Sequence, residues 1–278
     1  MANVKKNPTP PLLPTSYKGR YPFRLATTSF IYPDHYVPNV EKLGPYVDEI
    51  ELLFFESLRG ADVALEREID QLARLAERLD LTYNVHLPTD VSLTDADVSA
   101  RRKAVAALSQ VIRLTAPLSP STFTLHLPFA GDGRNKASIT AFQSRAMESM
   151  AALCRFQEKP DRFSVENLDY PLAWVLPVIE ELSLSVCIDV GHLLVNGFSV
   201  TDTCRLASGH ISAFHLMGAA DGRDHLALDR LSESHAREIV DALQAFNGVV
   251  SIEVFNFDDL ARSLLHLEHL LRLQPAGI

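Results

Sequence analysis

An eightfold alternation of short β-rich runs with longer stretches of helical spacing limits the fold of this chain more than any other feature. The runs cover residues 24–30, 49–56, 82–88, 123–128, 162–168, 185–192, 211–218 and 249–255. Several are almost unbroken apolar segments, the pattern of parallel strands covered on both faces. Between them, residues 66–79 place Ile69, Leu72, Leu75, Ala76 and Leu79 on one helical stripe, and residues 100–114 and 257–271 read the same way. Strands alternating with helices build a parallel sheet. Eight such units without a Gly-rich nucleotide-binding turn predict a closed (β/α)8 TIM barrel of the α/β class rather than an open doubly wound sheet. No low-complexity linker divides the sequence, which predicts one domain over residues 21–278 behind a flexible leader, rich in Pro and Lys, over residues 1–20.

Charge and cysteine usage narrow the function classes. A net charge of -9 argues against stable nucleic-acid binding through broad neutralisation of a phosphate backbone. Cys154, Cys187 and Cys204 are an odd set without CxxC spacing, so neither a disulfide framework nor a Cys-rich zinc site is expected. No apolar run approaches a membrane span of ~20 residues, and the N-terminus lacks the apolar core of a signal peptide, so a cytoplasmic protein without membrane partners is expected.

In a barrel of this kind the functional side chains gather at the carboxyl ends of the strands. The third and fourth runs end on Asn84-Val85-His86 and Thr124-Leu125-His126, the fifth on Val165-Glu166-Asn167, and the sixth on Asp189-Val190-Gly191-His192. The seventh ends on Phe214-His215 and leads to Arg223-Asp224-His225, while the eighth ends on Ile252-Glu253. A single His here would read as a hydrogen-bonded core residue, and Asp189 alone as a helix cap. So many ionisable groups buried together without a cation would incur desolvation and like-charge penalties of several kcal/mol per ion. Metal binding removes that conflict. Imidazole and carboxylate ligands without thiolate suit zinc, manganese or iron. Glu166 and Glu253 are natural bridging ligands for two divalent ions ~3.5–4 Å apart, an arrangement that hydrolyses phosphate esters.

With those residues placed, the order of motifs resembles the endonuclease-IV and xylose-isomerase-like superfamily of barrels from Arg24 to Leu271. The resemblance implies two or three ions. One would be held by His86, His126 and Glu166, a second by Glu166, Asp189, His215 and Glu253, and a third by His192, His225 and an acidic partner, Asp224. Asp224 directly precedes His225 here, and adjacent side chains of an extended segment point to opposite faces, so this pairing predicts an incomplete third site. Glu166, Glu253 and His192 are the candidate catalytic residues.

Within that superfamily, the segments Ser29-Phe30-Ile31-Tyr32-Pro33, Glu51-Leu52-Leu53-Phe54-Phe55-Glu56-Ser57, Tyr83 to Asp90 and Ser121 to Leu127 are similar to the cobamide-remodelling phosphodiesterases of the CbiR type. That likeness implies a B12-type corrinoid substrate, hydrolysed in its nucleotide loop to a cobinamide phosphate. Tyr32, Glu56 and Arg223 are candidate substrate contacts, Arg223 through pairing with a phosphate. Trp174 is expected to pack in the core. Two other enzyme classes compete. A sugar isomerase or epimerase would need one ion on Glu166, Asp189, His215 and Glu253 and no additional His pair. An abasic-site endonuclease would need basic and intercalating loops, and no clear set of them is visible. A structural metal site or a non-catalytic corrinoid-binding barrel would leave more ligands than a closed four-coordinate site uses.

Overall fold

The eight β-rich runs become eight parallel strands of one closed barrel in a computed structural model that describes residues 10–58, 63–157 and 159–272. Numbered in chain order, they are β1 (Arg24–Thr28), β2 (Glu49–Leu53), β3 (Thr82–His86), β4 (Phe123–Leu125), β5 (Phe163–Glu166), β6 (Ser185–Asp189), β7 (Ile211–Leu216) and β10 (Val249–Ile252). A short antiparallel hairpin, β8 (Gly218–Ala220) with β9 (Arg223–Leu226), interrupts the count after β7. Each strand pairs with its predecessor in the barrel, and β1 closes the ring on β10 with Arg24 opposite Val249. The predicted (β/α)8 barrel is the fold observed.

Helices cover the outside: α1 (Tyr36–Leu43), α2 (Val63–Leu79), α3 (Val98–Thr115), α4 (Lys136–Leu153), α5 (Leu176–Glu181), α6 (Val190–Val195), α7 (Val200–Leu206), α8 (Glu233–Leu243) and α9 (Phe257–Arg272). The amphipathic stripe expected over residues 66–79 lies in α2, where Ile69, Leu72 and Leu75 are buried. The other two predicted stripes fall in α3 and α9. Asp97 starts α3 by accepting a hydrogen bond from the Ser99 amide at 2.8 Å, so one orphan donor of the first turn is satisfied locally. Burial of these stripes against the outward faces of Val, Ile and Leu-rich strands is what stabilises the shell.

The barrel interior is polar rather than filled with branched apolar residues. Ala26, Cys187, Ala213 and Val249 form a small separate apolar cluster. Around it, fully buried Glu49 accepts from Asn84 Nδ2 at 2.9 Å and from Thr82 and Ser121 hydroxyls at 2.5 Å, with Arg24 at 3.1 Å. Ser164 and Ser212 hydrogen-bond across β6 at 2.8 Å. Buried polar groups are tolerated only when paired, and these pair among themselves. Small and polar packing below leaves the layer above free for a cluster of titratable groups.

One expectation changes. The segment read as a leader is packed from Leu13 onward. Leu13 and Tyr17 are 4% and 1% exposed, and the Tyr17 amide donates to the Tyr46 carbonyl at 2.8 Å. A Pro-rich stretch can bury side chains without forming a helix or strand, which composition does not reveal. Residues 1–9 of the leader lie outside the described residues. Among the described residues, no helix is long and apolar enough to cross a membrane.

Candidate metal centre

Each barrel strand from β3 to β7, together with β10, ends or nearly ends on a side chain that turns into the mouth of the barrel, and these side chains converge on Glu166 at the end of β5. His86 Nε2 lies 3.2 Å from Glu166 Oε2, and His215 Nδ1 lies 3.4 Å from the same oxygen. His126 Nε2 and His192 Nδ1 approach Glu166 Oε1 at 3.3 and 3.0 Å. His215 Nδ1 is also 3.0 Å from Glu253 Oε2 and 3.7 Å from Asp189 Oδ2. Donor atoms held ~2.0–2.2 Å from a common ion stand roughly 3–3.5 Å from one another, the separation found here.

Hydrogen bonding makes the same point by what it leaves over. His126 Nε2, Asp189 Oδ2 and His215 Nδ1 are buried polar atoms with no hydrogen-bond partner. Orphaned buried donors and acceptors normally cost about 1–3 kcal/mol each, the size of penalty that coordination to a cation would remove. The residues therefore fit divalent cations. The two oxygens of Asp189 divide the work: Oδ1 accepts from the His192 amide at 2.6 Å and caps α6, while Oδ2 stays free toward His215.

Asn167 ties the two neighbouring strand ends together. Its Nδ2 donates to the Asp189 carbonyl at 3.0 Å, its Oδ1 accepts from the Asp189 amide at 2.9 Å, and its own carbonyl lies 3.1 Å from His192 Nδ1. His86 is fixed in a similar way, with Nδ1 3.0 Å from the Leu87 carbonyl so that Nε2 faces Glu166. Backbone contacts of this type set which ring nitrogen faces the centre.

The charges are strongly coupled. Burial alone would depress His86, but the carboxylates of Glu166, Glu51 and Glu253 outweigh it and hold the imidazole up at about 9. His192 is pushed to about 10 against its burial by Glu166 and Asp189. Burial would raise Glu166, yet His126, His192 and His86 hold it well below the usual carboxylate range. Glu253 moves the other way, raised by burial and by the neighbouring charges of Glu51 and Asp189.

The third predicted cluster is looser than the others, with Asp224 about 4 Å from each of its two histidines, and an unexpected backbone sets its geometry. Asp221 and Gly222, at φ +54° and +71°, make the tight two-residue turn of the β8–β9 hairpin. His225 also has a positive φ of +52°, so the strand does not alternate faces there. Asp224 Oδ1 consequently lies 3.9 Å from His225 Nε2, and Asp224 Oδ2 lies 4.0 Å from His192 Nε2. The expected separation of adjacent side chains onto opposite faces is corrected by that left-handed residue. Gly191 on α6 lets the hairpin approach: a Cβ there would stand 2.5 Å from Met217 Sδ and 2.8 Å from Asp224 Cβ. Gly191→Ala is therefore expected to destabilise the protein by about 1–2 kcal/mol, since overpacking exceeds the ~1 kcal/mol gain in helix propensity. Thermal unfolding measures this, and an unchanged midpoint would contradict the close approach.

The candidate substrate contacts fare differently. Tyr32 is 5% exposed and its hydroxyl donates to the Pro11 carbonyl at 2.6 Å, so it anchors the N-terminal segment instead of lining a pocket. Glu56 is exposed beyond the end of β2, which stops at Leu53, and no contact joins it to the cluster. Arg223 is exposed on β9, one residue before Asp224. Trp174 is half-buried, stacked on Tyr170 with ring centroids 5.9 Å apart.

Two residues in the cluster were not singled out as ligands from the sequence. Glu51, fully buried in mid-strand β2, lies 3.1 Å from His215 Nε2 through Oε1, and its Oε2 accepts from Ser251 Oγ at 2.5 Å. Its spacing of two from Glu49 puts both carboxylates on the inner face, the one signal that could have found it. Cys187, two residues before Asp189, has its sulfur within ligand range of Glu166 and His215. Burial pushes its thiol up to about 12.

Comparison with known proteins adds the following. A family model described as xylose isomerase-like TIM barrel matches residues 37–273. A search of the curated proteins by sequence gave no match. Among solved structures, a D-tagatose 3-epimerase-like protein superposes with a TM-score of 0.74 at 17% identity, over 90% of this chain and 98% of that one. An L-ribulose 3-epimerase gives 0.70 at 18%, covering 90% and 95%. Endonuclease IV from Thermus thermophilus gives 0.70 at 18%, covering 90% and 100%.

Proposed function

The chain belongs to the xylose isomerase-like TIM barrel family, and from that premise we propose that it is a metal-dependent phosphodiesterase that hydrolyses the nucleotide loop of a B12-type corrinoid to a cobinamide phosphate in the cytoplasm. The observation that carries the hydrolytic part is the junction of His86 and His126 on Glu166, at 3.2 and 3.3 Å, beside the set formed by Asp189, His215 and Glu253. One ion needs the second set alone; the histidine pair supplies a further place for one, with Glu166 between them. The corrinoid part rests on the sequence segments quoted above.

Two or three divalent cations, zinc or manganese or else iron, would be held by His86, His126 and Glu166, by Glu166, Asp189, His215 and Glu253, and by His192, Asp224 and His225. Bound there, they would lower the pKa of water and neutralise charge on the phosphate oxygens. Glu253 would take the proton of the water that attacks phosphorus. As the new P–O bond forms and the ester P–O bond breaks, His192 would return a proton to the departing oxygen. Glu166 would position both histidine sets.

A second reading has one observation in its favour. Glu166, Asp189 and Glu253 each lie 3.0–3.7 Å from His215 Nδ1, a set that would serve a ketose epimerase with a single ion, and epimerase is the word in the descriptions of two structural neighbours. The test is direct. Metal-loaded protein is incubated with adenosylcobalamin, pseudocobalamin, a panel of ketoses and an abasic DNA duplex, and products are read by mass. Cobinamide phosphate with unchanged sugars is expected; epimerised ketose with intact corrinoid would overturn the proposal.

A further inference from the structure

Beside the metal-capable groups, one sector of the barrel mouth carries phenyl rings. Phe30, Phe55 and Phe255 follow β1, β2 and β10, three strands adjacent in the barrel. Phe55 and Phe255 are 51% and 39% exposed, unusual for rings of this size. The rings form a chain of tilted faces, with centroids 5.0 Å apart and planes at 52° for Phe30 and Phe55, and 6.3 Å and 55° for Phe55 and Phe255, so that a ligand ring stacks on one of them and packs against its neighbours. It ends on the candidate ligand His225, 5.0 Å from Phe255. Scattered surface phenylalanines need no explanation, whereas contiguous ones that run into a candidate metal centre do.

The chemistry of the shelf is restrictive. None of its rings has a hydroxyl, and the nearby Tyr36 commits its own to the Leu53 carbonyl at 2.7 Å. Sugar hydroxyls laid on this surface would lose water without gaining partners. A flat π-face would lose nothing and would gain stacking. The shelf is also bordered by exposed, polar Glu56 and Asn256.

We propose that Phe30, Phe55 and Phe255 form a stacking shelf for a planar aromatic or heteroaromatic ring attached to the scissile phosphodiester, positioned while the phosphate sits over Glu166 and Glu253. This rests on the phosphodiesterase reading above.

The test separates shelf from chemistry. Binding of phenyl phosphate and methyl phosphate to metal-loaded protein is measured by titration calorimetry, and hydrolysis of methyl p-nitrophenyl phosphate is followed separately. The native protein is expected to favour the phenyl ligand about 10-fold, within the 1–3 kcal/mol seen for base stacking on aromatic side chains. In F55A/F255A that ratio should fall to within about twofold of one, while F55Y/F255Y, which keeps the ring faces, should retain it. A ratio near one in the native protein, or one unchanged in F55A/F255A, would overturn the shelf. Aryl preference without any diester turnover would leave the shelf standing and remove the phosphodiesterase reading.

Discussion

Replacing Glu166 with Gln is expected to lower turnover by at least ~100-fold and to strip metal from the protein, because this one carboxylate faces His86, His126, His192 and His215 at 3.0–3.4 Å. The effect is electrostatic before it is catalytic. Gln keeps the shape and one acceptor oxygen but removes the anion around which four imidazoles are arranged. Loss of an outer partner typically costs roughly 10–100-fold in metal affinity or activity, and a shared inner ligand should cost more. Elemental analysis after dialysis against limiting metal should show fewer bound ions than in the native protein, with near-native circular dichroism. A variant that retained full metal content and full turnover would show that Glu166 is a structural partner of the histidines and nothing else.

The choice of Glu166 over its neighbours also follows from position. Glu253 is raised and Glu166 is held low, although both are buried in the same cluster. The difference lies in company: Glu166 is surrounded by imidazoles, whereas Glu253 shares His215 with Glu51 and Asp189. Two carboxylates in one site with divergent proton affinity is the arrangement expected of groups with separate tasks.

How much of this was legible in the sequence depended on how the backbone treats each segment. The ends of β3 to β7 and of β10 could be located because ligand types recur late in apolar runs, and parallel strands place those ends on one rim. Glu51 escaped for the opposite reason. It sits in mid-strand, and β2 stops at Leu53, so Glu56, which looked better placed, lies outside the barrel. The orientation of His225 relative to Asp224 escaped because a positive φ at a residue other than Gly leaves no trace in the order of side chains. The packed N-terminal segment was hidden by composition: it is rich in Pro and Lys, yet Leu13 and Tyr17 are buried and Tyr32 donates to the Pro11 carbonyl. Pattern finds elements and their ends; it does not find single residues whose conformation departs from the element.

Removing the metal is expected to reverse the pH dependence of stability. In the metal-free protein His86 and His192 are raised to about 9 and 10 from the ordinary 6.5, so the folded state binds protons that the unfolded chain has released. Stability from these groups is fully present below about pH 6.5 and is lost as pH rises through 9–10. The depressed Glu166 acts on the acid side, contributing above its ordinary 4.5 and losing that contribution as pH falls toward its folded value. Metal-free protein should therefore melt at a lower temperature at pH 9.5 than at pH 7. Binding of cations must displace the same protons, so affinity should climb over this window and proton release should accompany it. At metal concentrations about 1,000-fold above Kd the gain is about 4 kcal/mol, or roughly 10 °C for a chain of this length. Thermal melts with and without chelator at pH 7 and 9.5, paired with calorimetry in buffers of different ionisation enthalpy, measure both effects. A metal-induced shift that is larger at pH 7 than at pH 9.5, or binding without proton release at pH 7, would mean that the histidines of this cluster are not where the cations go.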